Sequence, residues 1–505
     1  MANFHKFLNN ISISKVFFFI LVFLLPLGTK KIFFTSLSFS ANYHIFYNSF
    51  YLYLSDLLIL ALIITWIWEK IKISRETFAY KDFFHNLYTK ISQDKIYQSL
   101  CIFWLILAVS LIVSREKLLS IYGLVKILEF SLFFAYLREN FTSLKSVSRE
   151  ILLIFWLILA IFCFQAVLGI SQYFSQKSLD IKIFGEEYLR PGIKGIAEFP
   201  SHGLVNPYLL RIFPNLSPIS PETINIRAYG TLSHPNVLAG LLFAGLLINL
   251  FLLYVSPASP AGRRERLSPL ALSLSAILIS TGLVVTFSRL AWAVCFFGIV
   301  FWFGLAFWKV RKPVFSQMQA GRLESPEQQY FPGRLALIAL VLLGSLGINL
   351  FLFGPQISNR LGRAGDFGNR EFLSQESFSY RAMLNQIAWS MIKSHPLLGV
   401  GWKNFIVRMD DFSKEQLLPW QHQPAHNIFL LIAAEAGVLG LFMFLRFLYY
   451  IVRRAVFAVE NPVWKITGLV IFFGFLAIGM FDHYFWTIQQ GALMFWLFLG
   501  LLAAK

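Results

Sequence analysis

Apolar runs long enough to cross a bilayer recur along nearly the whole of this 505-residue chain. A helix needs roughly 17–25 apolar residues to span the hydrocarbon layer, and about twelve such runs can be read. The first six lie near 15–29, 51–68, 97–113, 118–137, 151–173 and 232–255, the rest near 268–287, 290–308, 334–354, 426–451, 464–482 and 487–503. Backbone polar groups in lipid must be satisfied within their own segment, and the runs lack the alternation of barrel strands, so helices are expected. With 57% hydrophobic and only 14% charged residues and a mean hydropathy of +0.63, a soluble globular protein is excluded. The expected fold is an all-α polytopic membrane protein, one integral membrane domain over 1–505 with two large loops at 174–231 and 355–425.

Lysine and arginine in the short connections fix the expected orientation: about 23 lie on the side shared by both termini and about 5 opposite. Both termini are therefore expected in the cytoplasm and both large loops outside. The first run is expected to remain in place, because PLGTKKIFF offers no small-residue cleavage site. The net charge of +18 then anchors the inner face to anionic lipid and does not indicate nucleic-acid binding, for which no basic, aromatic-interleaved domain is present. Segments near 256–269 and 310–334, rich in Pro, Gly and Ser, are expected to be flexible inner connections.

Cys101, Cys163 and Cys295 fall inside apolar runs without paired spacing, as packing residues would. Asp410-Asp411 is an adjacent acidic pair in a loop, and one doublet supplies few of the converging oxygens a hard cation needs. Lys126 and Glu129 lie inside a run, where transport would require such charges, but three residues apart they can satisfy each other.

The polar connections carry the chemistry. Loop 174–231 closes on INIRAYGTLSHPNVLAGLL, which puts Arg227 just before the sixth run and His234-Pro235-Asn236 at its start. Gly230 and Pro235 permit a tight turn there, and Asn236 is suited to cap the helix. Arg227 either snorkels toward water or clamps an anion. Between the seventh and eighth runs only VTFSRLAW remains, so Arg289 stands at a helix start where free N–H groups favour an anion, unless it too merely snorkels. From Ser379 to Ser394 the residues Met383, Leu384, Ile387, Ala388, Met391 and Ile392 follow helical spacing; Arg381 lies in the first turn, and His395-Pro396 ends the pattern before the glycines of LLGVGWKNF.

His426 opens the tenth run, where an imidazole can meet both water and a lipid-linked head group and act as a base near neutral pH. Asn427 beside it is suited to cap the helix. His422 and His483 are rival histidines. Glu435, two turns deeper, implies a partner and a structural or orienting role.

The succession RAYGTLSHPNVLAG, TFSRLAW, YRAMLNQIAWSMIKSHPLLGVGWKNF and AHNIFLLIAAEAGVLGL resembles the O-antigen ligase and O-antigen polymerase superfamily, strongly over the region 225–445. The layout of runs with a large outer loop before the tenth is similar throughout. The resemblance implies a C-type glycosyltransferase-like fold in the bacterial cytoplasmic (inner) membrane, with its active site on the extracytoplasmic side. It implies a polyprenyl-diphosphate-linked glycan donor and a glycan, lipid or protein acceptor. Catalysis falls to His426 and diphosphate binding to Arg289, Arg227 and Arg381, with Asn427, Glu435 and Asn236 in support. Leu290 stands where many relatives have glycine. Displacement at the anomeric carbon would invert it, with arginines in place of a metal and no cofactor. A ligase, a polymerase and, from another class, a membrane transporter are the functions to be separated.

Overall fold

The computed structural model describes residues 12–40, 43–76, 92–141, 149–193, 195–201, 205, 223–255, 269–319, 331–361, 371–459 and 461–504. The first half comprises α1 (Ile13–Phe23), β1 (Lys30–Phe33), β2 (Phe39–Ser40), β3 (Tyr43–His44), β4 (Phe50–Tyr53), α2 (Leu54–Glu76), α3 (Lys95–Val109), α4 (Lys117–Asn140), α5 (Arg149–Ser175), β5 (Glu198–Ser201), β6 (Thr223–Ile226) and α6 (Pro235–Val255). The second half comprises α7 (Pro269–Val285), α8 (Arg289–Gln319), α9 (Phe331–Leu361), α10 (Glu371–Ser394), α11 (Met409–Phe412), α12 (Ile428–Ala458), α13 (Pro462–Gly479), α14 (Tyr484–Thr487) and α15 (Gln489–Ala503).

Each of the twelve apolar runs coincides with a helix, and among the described residues eight helices are long and apolar enough to cross a membrane. Three shorter apolar helices, α1, α7 and α15, accompany them. The chain is a multi-pass membrane protein. Helix α6, apolar on every side, is enclosed by the bundle: 94% of its most apolar stretch is buried, and α5, α7, α8, α9, α13 and α15 pack around it. By contrast α8 and α9 bury only 28% of theirs and turn Phe296, Phe301, Leu340 and Phe351 outward, as a lipid-facing surface would.

Several boundaries differ from expectation. Short strands interrupt the all-α picture, β1 pairing with β4, β2 with β3 and β5 with β6, all antiparallel. Helix α9 does not stop near 354 but runs through Pro355 to Leu361, so the second large loop opens later and Arg360 belongs to a helix. The expected flexible segment 310–334 is entered by helix from both ends, to Gln319 and from Phe331. Its residues 320–330, like 256–268 of the other such segment, lie outside the described residues.

The loop sequence LLGVGWKNF is built into α12. Helix α10 ends at Ser394, and the chain turns through Gly399 and Gly401 in left-handed conformations, φ +67° and +103°. There the Val400 N–H donates to the Ala434 carbonyl at 2.8 Å, the Gly401 N–H to the Glu435 carbonyl at 3.1 Å, and the Val438 N–H to the Pro396 carbonyl at 2.8 Å. These bonds occupy a break in α12 at Gly437, whose φ of +69° and ψ of −179° are not helical. A β-carbon on Gly437 would stand 2.0 Å from the Leu397 carbonyl oxygen, so the crossing requires glycine twice over. The apolar stripe of α10, with Leu384, Ile387, Ala388, Met391 and Ile392 buried, then seals against Leu431, Ala433 and Ala434 of α12.

Lys126 is held 2.6 Å from Asp56 Oδ1 and 2.8 Å from Glu129 Oε2, and Gln489 Nε2 donates to Asp56 Oδ1 at 2.6 Å. Asp56 and Glu129 thus share the Lys126 ammonium, which offsets part of their desolvation, while Glu129 Oε1 is buried with no hydrogen-bond partner among the described residues.

Candidate active site

The site forms at the end of the bundle where α6, α8 and α12 begin. Gln172 on α5 sets the first wall: its Oε1 accepts from the Tyr229 and Gly230 N–H groups at 3.1 and 2.8 Å, and its Nε2 donates to the Gly230 carbonyl at 2.8 Å. Gly230 is left-handed, φ +63°, and a β-carbon there would meet Gln165 Oε1 at 2.3 Å. The Ala228 N–H bonds to the Val285 carbonyl and draws RAYG against the turn between α7 and α8.

That placement buries Arg227. Its Nε donates to the Thr286 carbonyl at 2.6 Å and its Nη2 to Asn236 Oδ1 at 2.7 Å, and it is 6% exposed. Burial first, then the charge of Arg360, lowers its pKa to about 9. Snorkelling is thereby overturned for Arg227. The capping role of Asn236 is overturned as well: its side chain bridges Arg227 and Asp482, donating from Nδ2 to Asp482 Oδ2 at 2.9 Å. His234 accepts the Asn236 N–H at Nδ1 in its place.

The TFSR turn makes its left-handed step at Phe287, φ +48°, a conformation that costs a non-glycine residue about 1–2 kcal/mol. It presents the Thr286 carbonyl to Arg227 and the Phe287 carbonyl to Arg360, whose Nε donates at 3.1 Å. Leu290 lies inside α8 and packs on the core, so the turn closes without glycine there. Arg289 begins α8 and is exposed. Arg289 and Arg381 both act electrostatically on Arg360, and Arg360 and Arg381 act on Arg227. The three arginines expected from sequence are thus linked electrostatically through Arg360, a fourth.

His426 precedes α12, whose first turn Asn427 caps by accepting from the Phe429 and Leu430 N–H groups at 2.9 and 3.1 Å. Its Nδ1 stands 3.7 Å from Asp482 Oδ1, too far for a hydrogen bond but close for charge interaction. His483 packs edge-on against it, ring centroids 4.8 Å apart, and bonds through Nδ1 to Thr487 Oγ1 at 2.6 Å. Burial raises the Asp482 carboxyl, but His426, His483, His234 and Arg381 outweigh this and hold it at about 2. Burial lowers His426 below its usual 6.5, with Asp482 raising and Arg381 lowering it further, and brings His483 and His234 to about 3. At neutral pH this sets a neutral imidazole beside an ionised carboxylate within a field of arginines.

Among the described residues, His426, Asp482 and His483 offer ligand atoms within 4.8 Å of one another and could hold a metal ion. Asp482 is already engaged, Oδ2 by Asn236 and Oδ1 by the His483 N–H at 2.8 Å, and the neighbouring arginines oppose a dication. Asp410 and Asp411 do not converge: Asp410 pairs with His422 at 3.2 Å and Asp411 with Arg408 at 2.5 Å. His395 follows the last residue of α10 and meets Phe412 edge-on, a structural position. Glu435 is buried and accepts the Phe405 N–H at 3.2 Å, which ties the inserted loop to α12.

Asp482, His483 and Arg360 are the site residues that the sequence reading passed over or misjudged. By sequence His483 is a rival of His426, whereas in the structure the two lie side by side.

Residues 274–445 match the protein-family model described as O-Antigen ligase. The match covers α7 to α12 and includes Arg289, Arg360, Arg381 and His426. It supports the O-antigen ligase and polymerase superfamily, to which the motifs point. No curated protein matches the chain.

Proposed function

We propose that the protein transfers a glycan from a polyprenyl-diphosphate carrier to an acceptor hydroxyl, as an O-antigen ligase does. The observation that carries this is the pairing of a neutral His426 beside the ionised Asp482 with four electrostatically linked arginines, Arg227, Arg289, Arg360 and Arg381. His426 takes the proton of the acceptor hydroxyl at Nε2, while Asp482, facing Nδ1, stabilises the imidazolium that forms. The acceptor oxygen bonds to the anomeric carbon as the bond to the diphosphate oxygen breaks. The electron pair leaves on the diphosphate, and the anomeric centre inverts. Arginines receive the departing charge through charge-assisted hydrogen bonds, the electrostatic role that a metal plays elsewhere. The reaction takes place on the extracytoplasmic side of the bacterial cytoplasmic membrane, with both termini in the cytoplasm.

The same chemistry serves an O-antigen or surface-polysaccharide polymerase, which differs only in its acceptor. Purified protein in nanodiscs, given a radiolabelled lipid-diphosphate glycan, is expected to move label to an acceptor with release of polyprenyl diphosphate. Label on lipid A core identifies a ligase and label on lengthened carrier-linked chains a polymerase. Solute flux across sealed vesicles with no glycan transfer would replace this reading with transport.

A further inference from the structure

A second space opens beside the catalytic histidines and is untouched by the mechanism above. Its interior volume is about 80 Å³, and it opens at a mouth on one side. Tyr47, Tyr51, Tyr53, Trp402 and Trp486 present aromatic rings to it. Lys403, Glu435 and Gln489 place donors and acceptors among those rings. Trp402 Nε1 is buried and finds no hydrogen-bond partner among the described residues. Lys403 adopts φ +62°, and Glu435 is the acid whose charge acts on it, against the burial that lowers its pKa.

Two contacts connect this cavity to the site. Tyr47 stands edge-on to His483, centroids 5.5 Å apart, and Thr487 Oγ1 meets His483 Nδ1. From His483 the contacts continue to His426 and Asp482, then through Asn236 to Arg227. Neither the histidines nor those arginines line the cavity; its wall residues Tyr47 and Thr487 touch His483, and the arginines stand further along the same contact path.

Resting on the glycosyl-transfer reading, we infer that this cavity is the acceptor subsite, holding a pyranose ring of an acceptor glycan beside His426. An in-line displacement needs the attacking hydroxyl and the leaving diphosphate on opposite sides of the anomeric carbon, and the base on the side of the hydroxyl. With the diphosphate at the arginines, the attacking group comes from the cavity side. The lining fits a sugar: ring faces take its C–H surface, and hydroxyls pair with Lys403, Glu435, Gln489 and the Trp402 N–H. A lipid tail would leave the buried Trp402 N–H without a partner, and a diphosphate would meet the Glu435 carboxylate.

The test uses the full-length protein in nanodiscs and saturation-transfer NMR, irradiating aromatic protons. The probes are the oligosaccharide released by mild acid from the cells' own lipid-linked glycan and, in a second arm, the deacylated lipid A core oligosaccharide. Saturation is expected on pyranose ring protons of one of them, and is expected to persist in His426→Ala, which does not transfer. Trp486→Leu and Lys403→Asn, the latter able to keep a left-handed backbone, should reduce it. In transfer assays both should raise the acceptor KM ~10-fold and leave the donor KM within about twofold. A raised donor KM, unchanged acceptor KM in the folded variants, or absence of saturation from both probes on wild type would overturn the subsite. Wild type that binds but never transfers would instead overturn glycosyl transfer and leave a glycan-binding cavity standing.

Discussion

Asn236 Nδ2 donates to Asp482 Oδ2 across 2.9 Å and 246 residues of sequence, joining the start of α6 to the connection after α13. The amide can face only one way, because its oxygen accepts from Arg227. One side chain thus holds the carboxylate beside His426 and the buried Arg227 in fixed relation.

The carboxylate should set both rate and pH dependence. His426 must be neutral to accept a proton, and its pKa is lowered by burial, so the acid limb of kcat/KM should lie below pH 6.5. Asp482 raises that pKa and Arg381 lowers it. Asp482→Asn should therefore shift the limb to lower pH and cost ~10²-fold in rate, whereas Arg381→Gln should shift it to higher pH. A pH–rate profile with stopped-time product counting checks this; limbs that stay fixed in both variants exclude His426 as the titrating base.

His426→Ala should reduce transfer ~10²–10⁴-fold with normal insertion and thermal stability, since the residue precedes α12 instead of packing within the bundle. Transfer within about threefold of wild type would pass the role to His483, the neighbouring imidazole.

Arg289→Lys should lose most activity although it keeps the charge, because a guanidinium grips two phosphate oxygens and an ammonium does not. Arg289 is exposed, so the stability of this variant should be unchanged. Arg227→Lys should lose stability as well, through its bonds to Thr286 and Asn236. Full activity of Arg289→Lys would leave diphosphate binding to Arg227, Arg360 and Arg381.

Transfer should proceed in excess EDTA without nucleotide, the arginines supplying the neutralising charge. Loss of activity in chelator, restored by magnesium, manganese or zinc, would place an ion among His426, Asp482 and His483.

Gly437→Ala should abolish folded protein in the membrane, because its added carbon meets the Leu397 carbonyl in a backbone conformation that disfavours side chains. Gly344→Ala, where a β-carbon meets open space, is the control and should accumulate normally. Equal detergent-solubilised yields of the two would refute the coupling of loop and helix.

The helices were legible because bilayer crossing writes a long, strong hydropathy signal, and the α10 stripe because burial against α12 selects every third or fourth residue. His426 and Asn427 were legible because capping is local. Asp482 was not, since its value depends on partners at 236 and 426 that no local pattern connects to it. Arg360 was hidden by Pro355, which reads as a helix stop although α9 continues through it. The break at Gly437 was hidden for the opposite reason: apolar residues on both sides read as one uninterrupted span.

That break has a consequence for recombination. Because the N–H groups of the turn through Gly399 and Gly401 donate to the Ala434 and Glu435 carbonyls, the segment 395–405 and the first part of α12 form one inheritable block. Chimeras that exchange acceptor preference between relatives should be cut beyond Val438, not at the visible edge of the bilayer. A graft ending at Asn427 would bring a foreign key to this chain's own lock.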